Sequence, residues 1–172
     1  MEEVREATEV DLEAITHLAE RATAELSTAR GGTLYLLRES RRGSASQTVP
    51  EVLADRDQHM VVGCVDGAVV GYGIVRLDHL ADGEVLGVVD DIFVEPGTRG
   101  GGFGRAIMAD LMQWSTNRGA TGIDSVVLPG MRISKSFFEA CGMVARAIIV
   151  HRPLGTPVGS PAQPDDDEQG CG

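Results

Sequence analysis

Apolar positions along the chain change their period several times, and each change marks an element. Leu12, Ile15, Leu18, Ala22 and Leu26 recur at helical spacing. Ahead of them, Thr8 followed three residues later by Asp11 fits a capping box with Asp in the usual Glu position, and VREA before it reads as a short first strand. HMVVGCVDGAVVGYGIVRL then places Asp66-Gly67 between two β-branched runs, a strong hairpin signal. GEVLGVVDDIFVEP reads as the next strand, closed by Pro96. Ile107, Met108, Leu111, Met112 and Ser115 share one face of a helix expected from about Phe103 to Asn117. TGIDSVVLP reads as a strand, RISKSFFEAC as a short helix ended by Gly142, and MVARAIIVHRPL as a last strand.

The pattern fails in two places. From Ser27 to Pro50 the chain is polar and long, interrupted by an apolar patch from Leu34 to Leu37. This predicts a loop with room for a small helix, of the kind that is functional or disordered in a compact domain. From Gly155 to Gly172 prolines and glycines accompany the acidic run Asp165 to Glu168, and few residues could enter a core. A disordered acidic tail over 155–172 is expected there, leaving residues 1–154 as a single domain. The order of elements gives an α/β (α+β) fold, a mixed sheet flanked by helices.

At 172 residues the chain can bury roughly 68–70% of its unfolded surface, enough for a core without metal or disulfide staples. No apolar run reaches 18 residues, and the opening MEEVREATEVD is acidic and already patterned, unlike a signal peptide. A cytoplasmic protein is expected, with no membrane partner. Cys64, Cys141 and Cys171 are odd in number and widely spaced, so no disulfide framework is expected. The four histidines show neither HxxxH nor HExxH spacing, which points to no metal. A net charge of −11 argues against nucleic acid as a partner.

The candidate chemistry lies in DDIFVEPGTRGGGFGRAIM. Five of the eight residues from Gly97 to Gly104 are glycine, at the point where a strand enters a helix. Backbone N–H groups left unpaired at a helix N-terminus, with the macrodipole behind them, form an anion site suited to phosphate. A Walker loop is excluded because nothing here ends in Gly-Lys. The dinucleotide fingerprint GxGxxG/A fails as well, since its third position falls on Ile107 or Arg105. What fits is Arg99-x-x-Gly102-x-Gly104.

FVEPGTRGGGFGRAIM closely resembles motif A of the GNAT superfamily of acyl-CoA-dependent N-acetyltransferases, V-x-P-x-x-[QR]-x-x-G-x-[GA]. VREATEVDLEAI is similar to the superfamily's usual opening, and FFEACGM stands where its members commonly show LYEKLGF. The resemblance implies the GNAT fold, with a central mixed, mostly antiparallel sheet. It also implies that Arg99, Gly100, Gly101, Gly102, Phe103, Gly104 and Arg105 cradle the pyrophosphate of acetyl-CoA. Ile92, Phe93 and Val94 would pair through their backbone with the pantetheine arm, near a bulge that frees an N–H for the thioester carbonyl.

By the same resemblance, acetyl passes from acetyl-CoA to an amine by direct attack in a ternary complex. DDIFV is similar to the EDxFV stretch of polyamine-type members, which favours Asp90 over Asp91 as general base. Alternation along a strand sends the two acids to opposite faces unless a bulge intervenes. The alternative is that both are structural. A family Glu position two residues upstream holds Val88. The Tyr that reprotonates CoA thiolate in many members is matched by Phe138, and the Asn seven residues before it by Met131. Lys135, Arg132 and Arg118 either flank the CoA 3′-phosphate or form a solvated face. The partners implied are acetyl-CoA and a small or peptide amine, with acidic charge favouring a cationic one, and a homodimer is compatible. The departure at Phe138 leaves a second class open, a non-catalytic domain that binds or senses acyl-CoA.

Overall fold

The computed structural model describes residues 2–38 and 43–154. The tail expected from 155 to 172 therefore lies outside the described residues. The elements run β1 (Glu2–Glu6), α1 (Leu12–Thr28), α2 (Gly32–Arg38), α3 (Ala45–Ala54), β2 (Gln58–Val65), β3 (Ala68–His79), β4 (Val85–Val94), α4 (Phe103–Asn117), β5 (Ala120–Ser125) and α5 (Arg132–Ala140). The five strands form one sheet in sequence order. Every neighbouring pair is antiparallel except β4 and β5, which run parallel through the α4 crossover. The fold is the mixed α/β arrangement the pattern predicts, mostly antiparallel as the family resemblance implies.

Each face of the sheet carries its own core. On one side Ile15, Leu18, Ala19 and Ala22 of α1 and Val49 and Val52 of α3 pack on Met60, Val62, Cys64, Tyr72, Ile74 and Phe93. On the other, Ile107, Met108 and Leu111 of α4 and Phe138 of α5 pack on Val61, Val75 and Val89. α4 comes close to the strands because glycines lie beneath it. A Cβ built on Gly73 would stand 2.4 Å from Ile107 Cγ2, and one on Gly63 would stand 2.9 Å from Phe103 Cδ1. Both are closer than nonbonded carbons approach, so a side chain there would lift the helix.

Local chemistry sets the entry to α1. The capping box forms as the sequence predicts, with the Thr8 N–H and hydroxyl both donating to Asp11 Oδ2 at 2.9 Å. Arg5 of β1 adds a fork, each Nη donating to one Asp11 oxygen at 2.8 Å. The Asp66-Gly67 hairpin also forms, with both residues at positive φ (48° and 85°) as a two-residue primed turn needs.

Two expectations are corrected. The 27–50 stretch holds α2 and the first half of α3 instead of a loop with one small helix. Gly43 at φ +127° breaks the chain between them, and Pro50 inside α3 interrupts the helical period in the sequence. α3 still forms because Ser44 caps it with Gln47 as the reciprocal residue, and Thr48, Val49 and Val52 are buried. The strand expected in MVARAIIVHRPL is absent. After the Met143 N–H donates to Phe138 O, residues 144–154 make no backbone hydrogen bond to any described residue. A strand exists only through pairing, and although Arg146 reaches Asp124 of β5, no backbone hydrogen bond joins the two stretches.

Candidate functional site

β4 carries the candidate chemistry, and its pairing changes midway. From Val85 to Val89 it lies between β3 and β5. The last β5 partner is Ser125, opposite Val89, so residues 90–94 keep β3 on one edge and open the other. The Glu95 N–H donates to Val70 O at 2.9 Å, which fixes Glu95 toward β3. By the two-residue alternation of an antiparallel ladder, Val94 and Ile92 then turn their amides to the open edge. The Val94 carbonyl is indeed taken from that side, by Arg99 Nε at 2.8 Å. Phe93 sends its side chain into the α1 face, while Ile92 and Val94 pack toward α4.

A bulge interrupts the β3–β4 ladder one step upstream. Ile74 faces Asp91 and Val75 faces Val89, leaving Asp90 without an opposite residue. Ile74 lies on the α1 face and Asp91 with it. The Tyr72 hydroxyl, on the same face, donates to Asp91 Oδ2. Asp90 reaches Arg76, whose Nε donates to Oδ1 at 3.0 Å. Arg76 also pairs with Asp78. The bulge thus brings both carboxylates to one face, the condition under which plain alternation would not separate them. The Asp90 side chain is 17% exposed, and its Oδ2 accepts no hydrogen bond from any described residue.

The glycine loop follows. Pro96–Thr98 forms one short turn, then Gly100 and Gly102 take φ of +91° and +88°, a region that L side chains rarely enter. Gly102 is the N-cap of α4. The N–H groups of Gly100, Gly102, Phe103, Gly104 and Arg105 donate to no described backbone acceptor. These five donors, at the positive end of a 15-residue helix, make an anion cradle. Arg105 forms no ion pair among the described residues and lies exposed beside them. Phe137 covers the first turn, since a Cβ on Gly104 would stand 3.1 Å from its Cε2.

A collar of charges joins this loop to α1. Arg99 Nη2 donates to both oxygens of Glu25, at 2.9 and 3.0 Å, and Arg21 pairs with Glu95. Both guanidiniums approach the Phe93 ring, at 5.3 Å and 5.9 Å from its centroid.

A sequence model described as the Acetyltransferase (GNAT) family matches residues 15–143. The chain belongs to the GNAT acetyltransferase family. No curated protein sequence matches it, whereas many solved structures do. It is similar to aminoglycoside N-acetyltransferase AAC(6')-Iy in complex with a CoA bisubstrate analogue, at 19% identity and a TM-score of 0.70, covering 90% of this chain and 99% of that one. Glucosamine-6-phosphate N-acetyltransferase from Arabidopsis thaliana aligns at 18% identity and a TM-score of 0.66, over 90% and 99% of the two chains. An acetyltransferase of Trypanosoma brucei aligns at 22% and 0.63, over 90% and 100%. At these identities the likeness speaks for the fold.

Within this GNAT domain the site residues expected from sequence fall into two groups. Ile92 and Val94 on the open strand edge lead into Arg99 to Arg105 of the glycine loop, whereas Phe93 turns its backbone to β3 and its side chain into the α1 core. Asp90 lies at the upstream end of that edge. Arg118, by contrast, belongs to the far end of α4, where it stacks on Trp114 at 5.0 Å and bonds Arg56 O and Asp57. Lys135 pairs with Glu139. Phe138 is buried in the α4 core and meets Phe137 edge to face. Tyr72, Arg76, Glu25 and Arg21 went unremarked as site residues in the sequence. Their partners are 14 to 74 residues away, and no local pattern announces such pairs.

Proposed function

We propose that this protein transfers an acetyl group from acetyl-CoA to a primary amine by direct attack, in the cytoplasm where that co-substrate is made. The observation that carries the reading is the parting of β4 from β5 beyond Val89, leading straight into a glycine loop with five free N–H groups. The open edge offers the Ile92 and Val94 amide donors and the Ile92 carbonyl to a pantetheine arm, and the loop offers its donors to pyrophosphate. Arg105 supplies positive charge beside it, while Arg99 is held next to the loop by Glu25.

An alkyl ammonium must lose a proton before attacking, and with a pKa near ~10.4 only about 1 in 2,500 is neutral at pH 7. Asp90 takes that proton, directly or through water, on the oxygen that Arg76 leaves open. The amine nitrogen then bonds the thioester carbon and sheds its second proton to water, the carbon–sulfur bond breaks, and the thiolate leaves with the electron pair. With Phe138 at the usual acid position, solvent returns the proton to sulfur. That step carries little cost for a thiol whose pKa is near ~8.5. Asp91, already engaged by Tyr72, shapes the site without moving a proton. The acidic bulge favours a cationic acceptor.

The test is thiol release with acetyl-CoA and a panel of amines, products read by mass spectrometry. Asp90→Asn should lower turnover by roughly 10²–10⁴ with acetyl-CoA affinity nearly intact, and Asp91→Asn should cost far less. Full activity of Asp90→Asn would remove it as the base, and equal losses would make the two acids a structural pair. The buried ring at Phe138 supports a second reading, an acyl-CoA sensor. Tight CoA binding without amine-dependent release across the panel would favour it.

A further inference from the structure

An arginine beside a carboxylate tends to engage both of its oxygens, because two charge-assisted bonds are better than one. Three arginines here do so: Arg5 on Asp11, Arg99 on Glu25 and Arg146 on Asp124. Arg76 divides itself instead. Its Nε donates to Asp90 Oδ1 at 3.0 Å, while its Nη1 turns back to Asp78 Oδ1. The strands account for these partners. Arg76 and Asp78 are two residues apart on β3 and so share a face. Across the ladders Arg76 stands opposite Gln58 and Val88. Val88 has nothing to accept a bond, and the Gln58 amide is turned to Asp55. Among the described residues the guanidinium therefore has one carboxylate behind it and one ahead.

We propose that Asp78 is a positioning residue for the transfer reaction. By holding Nη1 of Arg76 it keeps the guanidinium from closing its fork over Asp90, and so leaves Asp90 Oδ2 open to take the amine proton. The proposal rests on Asp90 being the base, as read above. Without Asp78, a small rotation of Arg76 would bring Nη2 onto Oδ2 beside the existing Nε bond. That second bond would be favourable for the pair and would close the oxygen the reaction needs. Folding does not explain the Arg76–Asp78 contact. The two side chains are 39% and 41% exposed, and an ion pair so open to water contributes little to stability. Asp90 lies deeper, at 17%, where a second bond from Arg76 would be harder for water to displace. Asp78 thus acts through Arg76, and needs to touch neither acetyl-CoA nor the acceptor.

The experiment joins crystal structures of full-chain variants to initial rates of thiol release from acetyl-CoA, with spermidine and neamine as probe amines. In Asp78→Ala, Arg76 should place Nε and Nη2 on the two oxygens of Asp90. Its kcat should fall at least about tenfold, with KM for both substrates held within about twofold. Asp78→Asn keeps an oxygen for Nη1 and should retain most of the wild-type rate. Adding Arg76→Ala to Asp78→Ala removes the fork, so kcat should rise to that of Arg76→Ala alone. The crystallographic arm needs no acceptor and decides the geometry by itself. An Asp78→Ala protein whose Arg76 still meets one Asp90 oxygen, or swings into solvent, overturns the proposal. A kcat loss that Arg76→Ala does not relieve overturns it too. So does a raised amine KM at unchanged kcat, which would make Asp78 a direct contact of the acceptor. A closed fork with undiminished turnover tells a different story: Asp90 is then not the base, and the role of Asp78 falls with it while the geometry stands.

Discussion

Asp11 shows what one well-placed residue does. It receives the Thr8 backbone and hydroxyl and both arms of Arg5. The Arg5 hydrogen bonds, outweighing the opposing effect of burial, hold its carboxyl down to about 2. A folded pKa below the unfolded value stabilises the protein above the unfolded pKa and ceases to do so as pH falls through the folded one. The window is therefore about pH 4 down to pH 2. Arg5 is one-third exposed, so solvent screening trims the contribution to about 2 kcal/mol or less. Urea denaturation of wild type and Asp11→Asn should differ by that amount at pH 7 and converge near pH 2. A constant difference across the range would remove the ion pair as its source. The cap was legible because Thr8 and Asp11 are local. The placement of Asp90 and Asp91 was not, because a bulge depends on how β3 and β4 register, and neighbouring sequence carries no mark of it.

At the scale of elements, α4 matched its expected span because its apolar face repeats without a break and the loop before it is dense in glycine. α3 escaped because Pro50 sits where a helix loses a donor, and capping with burial compensates. The absent last strand teaches the complementary point: propensity in MVARAIIV is high, but a strand needs a neighbour. Two glycines of the α4 region should separate by role. Gly102→Val forces a side chain to φ +88° with no atom within 4 Å, so it should cost little packing. It should weaken acetyl-CoA binding at least tenfold, about 1.4 kcal/mol, by moving the loop backbone. Gly73→Ala meets Ile107 and Leu111 at once and should cost about 1–3 kcal/mol of stability. Calorimetric titration and urea melts of both variants check the contrast. A Gly102→Val protein with unchanged affinity would take the loop out of the binding site.

For the whole molecule, the sheet divides two unequal sides. α4 rests on Gly63, Gly71, Gly73 and Gly87, each closely approached by side chains of Phe103, Ile107, Leu111 or Ser115. The opposite side is roofed by α1 and α3, with α2 against α1 and only part of α2 and α3 buried. A library of single substitutions sorted for folded protein should therefore lose most variants at strand and helix positions on the α4 side. It should keep many on α2 and α3. Equal losses in α4 and in α2 and α3 would contradict the difference in packing.

The glycine track has a consequence for descent. On the strand side of this seat mutation has no side chain to trim and can only add one, and every addition obstructs the helix. The cradle at the helix's end is therefore held in place by positions that tolerate little change. Room for change lies in the roof across the sheet, where helices can lengthen, turn or change charge without disturbing the seat.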